Sequence, residues 1–527
     1  MDSPELALRR DVVRVLDRWP TAGLAVAVVR DGEPTWFHDH GVSDVTSAAP
    51  ITPDTVFRVG SLTKTFTAVA VMQLWEQGRV DLDAPANDYL STFRLRPTRP
   101  GLRPASLRHL LTHTAGVGYW RRWSDLLHPV SGAGVEARRL LPLGEYYRGG
   151  LPQEVQPGTK WVYSNHGFAA LGQVVEDVSG QLLADYLREH VFDPLGMWDT
   201  DLVRSARVRS ALATGYLVRS RGLVPAPDRP VPTPGGGSLY STSTDLARYV
   251  ECLLHQGAGA GGRILEASTV AEMFSPQFRP DPRLPGMGLG FDLGVEDGHR
   301  TVGKSGVVSG FLAALTLEPS AGLGVVALAN TGGLSGQGAP TEVCSAVIRT
   351  LLDLPEDRLR HDVAPRPDVW AELCGWYSPA PGPVTNLFAR ALMGAGAEVV
   401  VDGHRLVLKP LTPVPALRRG MPLHSDDPKD PYAFRVDFSE LGMGTLPVVF
   451  ATADAGRRAR TLWLDLMAFE RRPDLRNPRR LAAGALAAGV LAAGIAGPRR
   501  SGRGSGRGSG RASSRNPFPA HVPPEGS

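Results

Sequence analysis

At 527 residues, 42% of them hydrophobic, the chain is too long for one ordinary domain of roughly 150 residues and apolar enough to bury a sizeable core. The net charge of +4 is unevenly spread: residues 476–527 hold nine arginines and one glutamate, leaving 48 basic and 52 acidic residues before them, so the body gives no support for nucleic-acid binding. Three widely spaced cysteines, Cys252, Cys344 and Cys374, show no metal-ligand pattern and exclude a disulfide framework; they read as small buried hydrophobes.

The stretch from Met1 to Pro20 mixes charges with Leu6, Leu8, Val12, Val13, Val15 and Leu16, and reads as a surface helix. It lacks the apolar run of a secretory signal, so the expected location is cytoplasmic. Gly23–Val29 and Pro34–His38 are strand-like and flank Asp31-Gly32, a β-hairpin signature. Nothing groups with His38 or His40 to give them a chemical role.

Ser61-Leu62-Thr63-Lys64 is the first stretch that carries chemistry. From Lys64 to Gln77 the apolar residues Phe66, Val69, Ala70, Met72 and Leu74 follow a buried-helix pattern, and Gly78 ends it. Positions i and i+3 share a helix face, so the Lys64 amine comes within reach of the Ser61 hydroxyl. That is the arrangement of a serine nucleophile activated by an amine. The helix start also places backbone N–H groups where negative charge would develop.

Residues 106–116 read as a short helix ending near Gly116, with His113 more suited to a structural hydrogen bond than to general-base work. Residues 118–150 show no clear period and are expected to wall a cleft. In Trp161-Val-Tyr163-Ser-Asn165 the tyrosine and the amide are two apart, so an extended segment turns both to one side. A tyrosine beside a cation loses its proton more easily. Phe168–Leu187 reads as one helix, Pro232–Gly237 as a Gly/Pro loop, and Ser243–Leu254 as a well-capped helix.

Strands are expected at Leu289–Val295, Thr301–Ser305, Phe311–Leu317 and Leu323–Ala329, joined by short links as an antiparallel meander, followed by a helix over Glu342–Leu352. Lys304-Ser305-Gly306 lies on one of these strands. Its Lys and hydroxyl can line a cleft edge, and its glycine lets the backbone approach closely.

Residues 356–369 read as a linker. Short strand-like runs recur from 370 to 474, among them Glu398–Val401, Leu406–Leu408, Ala433–Val436, Pro447–Phe450 and Leu462–Leu464, and point to a small all-β module. The remainder, 475–527, holds an Ala/Gly-rich segment at Leu481–Gly497 and a low-complexity basic tail expected to be disordered. As a helix the segment would span about 26 Å, slightly short of a bilayer core of roughly 30 Å. A spanning helix, a surface-lying helix giving weak membrane association, and disorder stay open for it.

Only five of the 57 basic residues are lysines, yet two of the five fall in Ser61-x-x-Lys64 and Lys304-Ser305-Gly306. Arginine cannot be deprotonated in a protein, so a base at position 64 has to be lysine. The order Ser61-x-x-Lys64, Tyr163-Ser164-Asn165, Lys304-Ser305-Gly306 resembles the serine β-lactamase and penicillin-binding protein superfamily. It looks most like the class C β-lactamase and DD-peptidase branch, because the middle motif is Tyr-x-Asn. Leu107–Gly116 and Leu239–Ala247 add to the likeness, which covers about residues 8–355.

The resemblance implies an α+β fold. An antiparallel sheet flanked by helices, with an all-helical region, would occupy 1–355, and the smaller all-β module would follow it. Ser61 would be the acylated nucleophile, with Lys64 and Tyr163 sharing its proton. Asn165, Lys304, Ser305 and Gly306 would contact Lys64 or substrate. The backbone N–H groups of Ser61 and Val307 would form the oxyanion hole. The resemblance implies no metal and no cofactor, and its partner would be a small-molecule or peptide substrate. The expected activity is that of a serine hydrolase of amide or ester bonds; the competing expectation is an inactive binding or sensor protein of the same fold.

Overall fold

The Asp31-Gly32 pair makes the expected hairpin, and that hairpin lies within the main sheet. Both residues have positive φ, 53° and 76°, the backbone that a two-residue turn of this hand requires. A computed structural model describes residues 4–118, 140–332, 338–356, 358–379, 390, 393–412, 414–452 and 458–481. Residues Met1–Asp474 form one compact unit and Leu475–Ser527 a second. Of the second, only residues 475–481 are described, with a helical turn at 478–481.

In chain order, the elements that frame the site begin with α1 (Pro4–Arg18), β1 (Gly23–Arg30), β2 (Glu33–Asp44), β3 (Ala49–Pro50), α2 (Thr63–Glu76), α3 (Asn165–Ser179) and α4 (Ser243–Leu254). They continue with β4 (Asp292–Glu296), β5 (His299–Val308), β6 (Phe311–Glu318), β7 (Leu323–Ala329) and α5 (Gly338–Leu351). The seven-stranded sheet runs β4-β5-β6-β7-β1-β2-β3, so the N-terminal hairpin and the later meander share it. The join is antiparallel, from Leu24 opposite Ala329 to Arg30 opposite Leu323.

β1 is buried on both faces, and its alternation sorts its side chains into two cores. Leu24, Val26 and Val28 pack with Val12 and Leu16 of α1 and with Val343 and Val347 of α5. Ala25, Ala27 and Val29 face the larger core, which holds α2, α3 and α4. All of α2 from Thr63 to Leu74 is buried. Phe66 on that helix stacks on Tyr249 at 4.0 Å between ring centroids and meets Phe192 edge-on at 5.8 Å.

The β-rich part after residue 370 forms a nine-stranded antiparallel sheet. Its two end strands, Met421–Pro422 and His424–Asp427, are consecutive in the chain, so the sheet curls nearly closed around Tyr377, Phe434, Phe450, Leu462 and Phe469. The strand-like runs expected in this stretch all fall within its strands.

Three local expectations are corrected. Phe168–Leu187 is two helices, α3 and Leu183–Leu187, because Gly180 takes φ 81° and ends the first. The Gly/Pro loop contains a helical turn at Pro234–Gly237. The strand expected from Leu289 starts at Asp292, since Gly290 turns at φ 82°. Most of the expected cleft wall, 119–139, and nearly all of Leu481–Gly497 lie outside the described residues. Among the described residues no helix is long and apolar enough to cross a membrane.

Candidate active site

Ser61 lies in a 3-10 turn, Gly60–Leu62, that runs straight into α2. The turn is held from two sides. Gly60 takes φ 51°, a conformation that side chains rarely adopt. Thr63 Oγ1 donates to Gly60 O at 2.6 Å and accepts from Leu239 N at 3.0 Å. Val59 N donates to Leu239 O at 3.0 Å. The nucleophile candidate is therefore fixed by backbone bonds to the Leu239 segment as well as by its own helix.

One turn on, Lys64 is fully buried. Its Nζ lies 2.9 Å from Ser61 Oγ, 2.6 Å from Asn165 Oδ1 and 2.6 Å from Gly236 O. The amide oxygen and the carbonyl can only accept. A neutral amine donates its two protons to them and is left with its lone pair toward the Ser61 hydroxyl. Burial is the first cause that lowers the Lys64 pKa well below its ordinary 10.5, and the nearby Lys304 charge adds to it, while Asp292 opposes. Geometry and electrostatics thus agree on a base-competent amine.

The Tyr163 hydroxyl is 2.6 Å from Ser61 Oγ. Two lysine amines approach its ring, Lys64 Nζ at 4.9 Å from the centroid and Lys304 Nζ at 5.6 Å. Asn165 opens α3, capped by Ser164, whose Oγ accepts from Gly167 N at 3.0 Å. The Tyr-x-Asn pair therefore straddles a loop-to-helix junction, and both members reach the Ser61–Lys64 pair.

Lys304 is on β5 and 4% exposed. It makes an ion pair with Asp292 Oδ1 at 2.6 Å. Ser305 is partly exposed beside it and Val307 exposed. Gly306 passes directly against the Val59–Ser61 backbone, and Gly60 against Val307, so the Ser61 and Val307 amide nitrogens flank one close contact. All eight residues named from the sequence thus fall in one place.

His113 does not share it as a reacting group. It is 2% exposed, with φ 58°, and its Nδ1 accepts from Ser164 N at 3.2 Å. Its ring centroid lies 4.5 Å from that of Tyr163. Burial, then the Lys304 and Lys64 charges, hold its pKa well below the usual 6.5, so it is neutral and braces Tyr163. Among the described residues no group of three or more His, Cys, Asp or Glu is arranged to hold a metal ion.

Two participants were missed from the sequence. Gly236 supplies a main-chain carbonyl, which has no residue signature; the trace it leaves is the run Gly235-Gly236-Gly237. A Cβ at Gly235 would meet Phe168 O at 2.6 Å, so that turn has to be side-chain-free to reach Lys64. Asp292 was read only as part of a strand. It lies opposite Gly303 across the β4–β5 register, next to Lys304.

A family model described as Beta-lactamase matches residues 9–343. An unguisins hydrolase, ungD', of Aspergillus campestris is 30% identical over 361 residues, covering 66% of this chain; the chain spans 65% of that relative's length. Esterase EstB of Burkholderia gladioli is 30% identical over 58% of this chain and 83% of its own. Penicillin-binding protein 4 of Amycolatopsis lactamdurans is 30% identical over 70% and 96%. Among solved structures, the octameric penicillin-binding protein homologue from Pyrococcus abyssi superposes with a TM-score of 0.58 at 23% identity, covering 89% of this chain and 100% of its own.

Proposed function

The chain belongs to the beta-lactamase family, and from that premise we propose that it is a serine hydrolase that opens an amide or ester bond through an acyl-enzyme on Ser61. One observation carries the reading. Lys64 Nζ has two acceptor-only oxygens, Asn165 Oδ1 and Gly236 O, at 2.6 Å, and turns its remaining direction to Ser61 Oγ.

Ser61 Oγ attacks the substrate carbonyl carbon and its proton passes to Lys64 Nζ. The ammonium so formed keeps three acceptors. The oxyanion takes the Ser61 and Val307 N–H groups, and loss of one such donor typically costs about 10²–10³ in rate. Tyr163, hydrogen-bonded to Ser61 Oγ, is placed to give its proton to the leaving nitrogen or oxygen as the carbonyl–leaving-group bond breaks. Lys64 and Lys304 beside its ring stabilise the phenolate that results. In the second half-reaction water attacks the acyl carbon and gives its proton to that phenolate. Ser61 Oγ leaves and regains a proton from the Lys64 ammonium, so each group ends as it began.

The names of the relatives, an esterase, a hydrolase of unguisins and a penicillin-binding protein, support hydrolase chemistry and leave the substrate open. A neutral fluorophosphonate should label Ser61, and Ser61→Ala should abolish both labelling and turnover across a panel of p-nitrophenyl esters, D-amino-acid amides and a chromogenic cephalosporin. An unlabelled wild-type protein, or one whose turnover survives Ser61→Ala, would sink the reading in favour of a binding or sensor protein.

A further inference from the structure

The segment that carries Tyr163 is held by the β-rich part of the chain. Trp161, two residues before the tyrosine, packs against the core that contains Tyr377, Phe450 and Phe469, and its ring centroid lies 6.0 Å from that of Tyr163. Its indole N–H has no hydrogen-bond partner among the described residues, so the ring acts here through its shape. Next to it, Lys160 Nζ forms a 2.6 Å ion pair with Glu470 Oε1. Glu470 is a fixed point. Its strand, Met467–Arg472, is paired on both sides, with Thr461 and Ser378 opposite Glu470, and its other carboxylate oxygen is bound by Arg472 at 2.9 Å.

From the other direction His113 holds the same segment. Its O accepts from Val162 N at 2.7 Å and its Nδ1 from Ser164 N at 3.2 Å. These bonds fix the backbone on either side of Tyr163. The tilt of its ring is then set by what lies against it, and Trp161 is a neighbour that also packs against the β-rich core. Tilt decides where the phenol oxygen goes, because that oxygen is at the far end of the side chain. In the mechanism above it has to reach both Ser61 Oγ and the leaving group, and a misplacement of about 1 Å can cost about 10²-fold.

Resting on the hydrolase reading, we propose that Trp161, tied down by the Lys160–Glu470 pair, is a positioning residue through which the β-rich part sets the Tyr163 hydroxyl for proton transfer to the leaving group. Substrates whose leaving group must be protonated, alkyl esters and amides, then depend on the β-rich part. Those whose leaving group departs as a stable anion do not. A second anchorage holds the β-rich part when this link is cut: Arg283 pairs with Asp430 at 3.0 Å and donates to Phe450 O at 3.1 Å.

Two esters of one acid, p-nitrophenyl and ethyl, separate positioning from general loosening. In both, Ser61 Oγ bonds to the acyl carbon and the bond from that carbon to the leaving oxygen breaks. Nitrophenolate departs with the electron pair unaided, whereas ethoxide has to take the Tyr163 proton. The quantity kcat/KM reads acylation alone. In Trp161→Ala it should fall at least about tenfold further for the ethyl ester than for the p-nitrophenyl ester, a part of the about 10²–10⁴ that a placed acid supplies. Trp161→Phe keeps a ring against Tyr163 and should restore most of the wild-type ratio. Lys160→Met and Glu470→Gln should each shift the ratio by about two- to fivefold, the worth of one partly exposed ion pair. Combined, they should shift it no further than either alone, since both cut the same link.

Equal losses on the two esters in a folded Trp161→Ala overturn the proposal, as does a ratio that does not move. If that variant does not fold, the Lys160 and Glu470 variants decide, and additive effects or an unmoved ratio overturn it. A wild-type protein that cleaves neither ester and takes no fluorophosphonate at Ser61 fails the hydrolase reading itself, an outcome distinct from cleavage with an unmoved ratio.

Discussion

A Cβ placed on Gly306 would lie 2.0 Å from the carbonyl oxygen of Val59. No side chain fits between these two segments, so β5 and the nucleophile turn are in backbone contact. Gly306→Ala should force them apart and misplace the Ser61 and Val307 amides together. Labelling of Ser61 by a neutral fluorophosphonate should slow by about 10²–10³, while the melting temperature falls by only the few degrees that about 1–3 kcal/mol of overpacking costs. Normal labelling in the variant would show that these amides do not serve as the oxyanion hole.

Lys64 makes the site's pH dependence predictable in sign. Attack needs the neutral amine, so the labelling rate rises with pH through the Lys64 pKa and levels off well below 10.5. Lys304→Met removes a like charge, raises that pKa and moves the limb to higher pH. Asp292→Asn removes the charge that opposes the lowering and moves it to lower pH. Rate profiles of the three proteins test this, and a limb that stays put in both variants, or moves the other way, contradicts it. The unfolded chain keeps the Lys64 proton up to about pH 10.5. The lysine's contribution to stability is therefore full above that value and is lost as pH falls through the lower folded pKa.

His113 should prove replaceable. In His113→Asn the amide oxygen can accept from Ser164 N, and asparagine tolerates the positive φ. The variant should fold, lose less than about tenfold in labelling rate and keep the midpoint of its pH profile. A loss of about 10²–10⁴ would instead make His113 the general base.

Phe66 ties α2 to its surroundings through Tyr249 and Phe192. Phe66→Ala should destabilise by about 3–5 kcal/mol, read as a drop in thermal melting. Labelling well below the new melting temperature should persist. A loss of under about 1 kcal/mol would mean that the helix is anchored elsewhere.

What the sequence disclosed follows how far each interaction reaches. Ser61 and Lys64 are one helical turn apart, so their pairing could be read directly. Tyr163, Asn165 and Lys304-Ser305-Gly306 are distant in sequence, and only the order of motifs brought them to one site. The hairpin was legible because Asp31-Gly32 is a local turn signal. The break at Gly180 was not, since apolar residues continue on its far side and mask the change of direction. Asp292 escaped because its bond to Lys304 depends on cross-strand register, and Glu470 because its partner Lys160 is 310 positions away. A main-chain carbonyl such as Gly236 O can be found only from coordinates.

The antiparallel join of Leu24 to Ala329 sets a timetable for the growing chain. β1 leaves the ribosome early, yet the strand that covers its second edge follows about 300 residues later, roughly 15–60 s at ordinary elongation rates. Throughout that interval Gly-Leu-Ala-Val-Ala-Val-Val-Arg exposes an apolar open edge, the kind of template on which unfinished chains stick to one another. Slow translation or crowded expression should therefore harm this protein through its first strand long before Ser61 has a site to belong to.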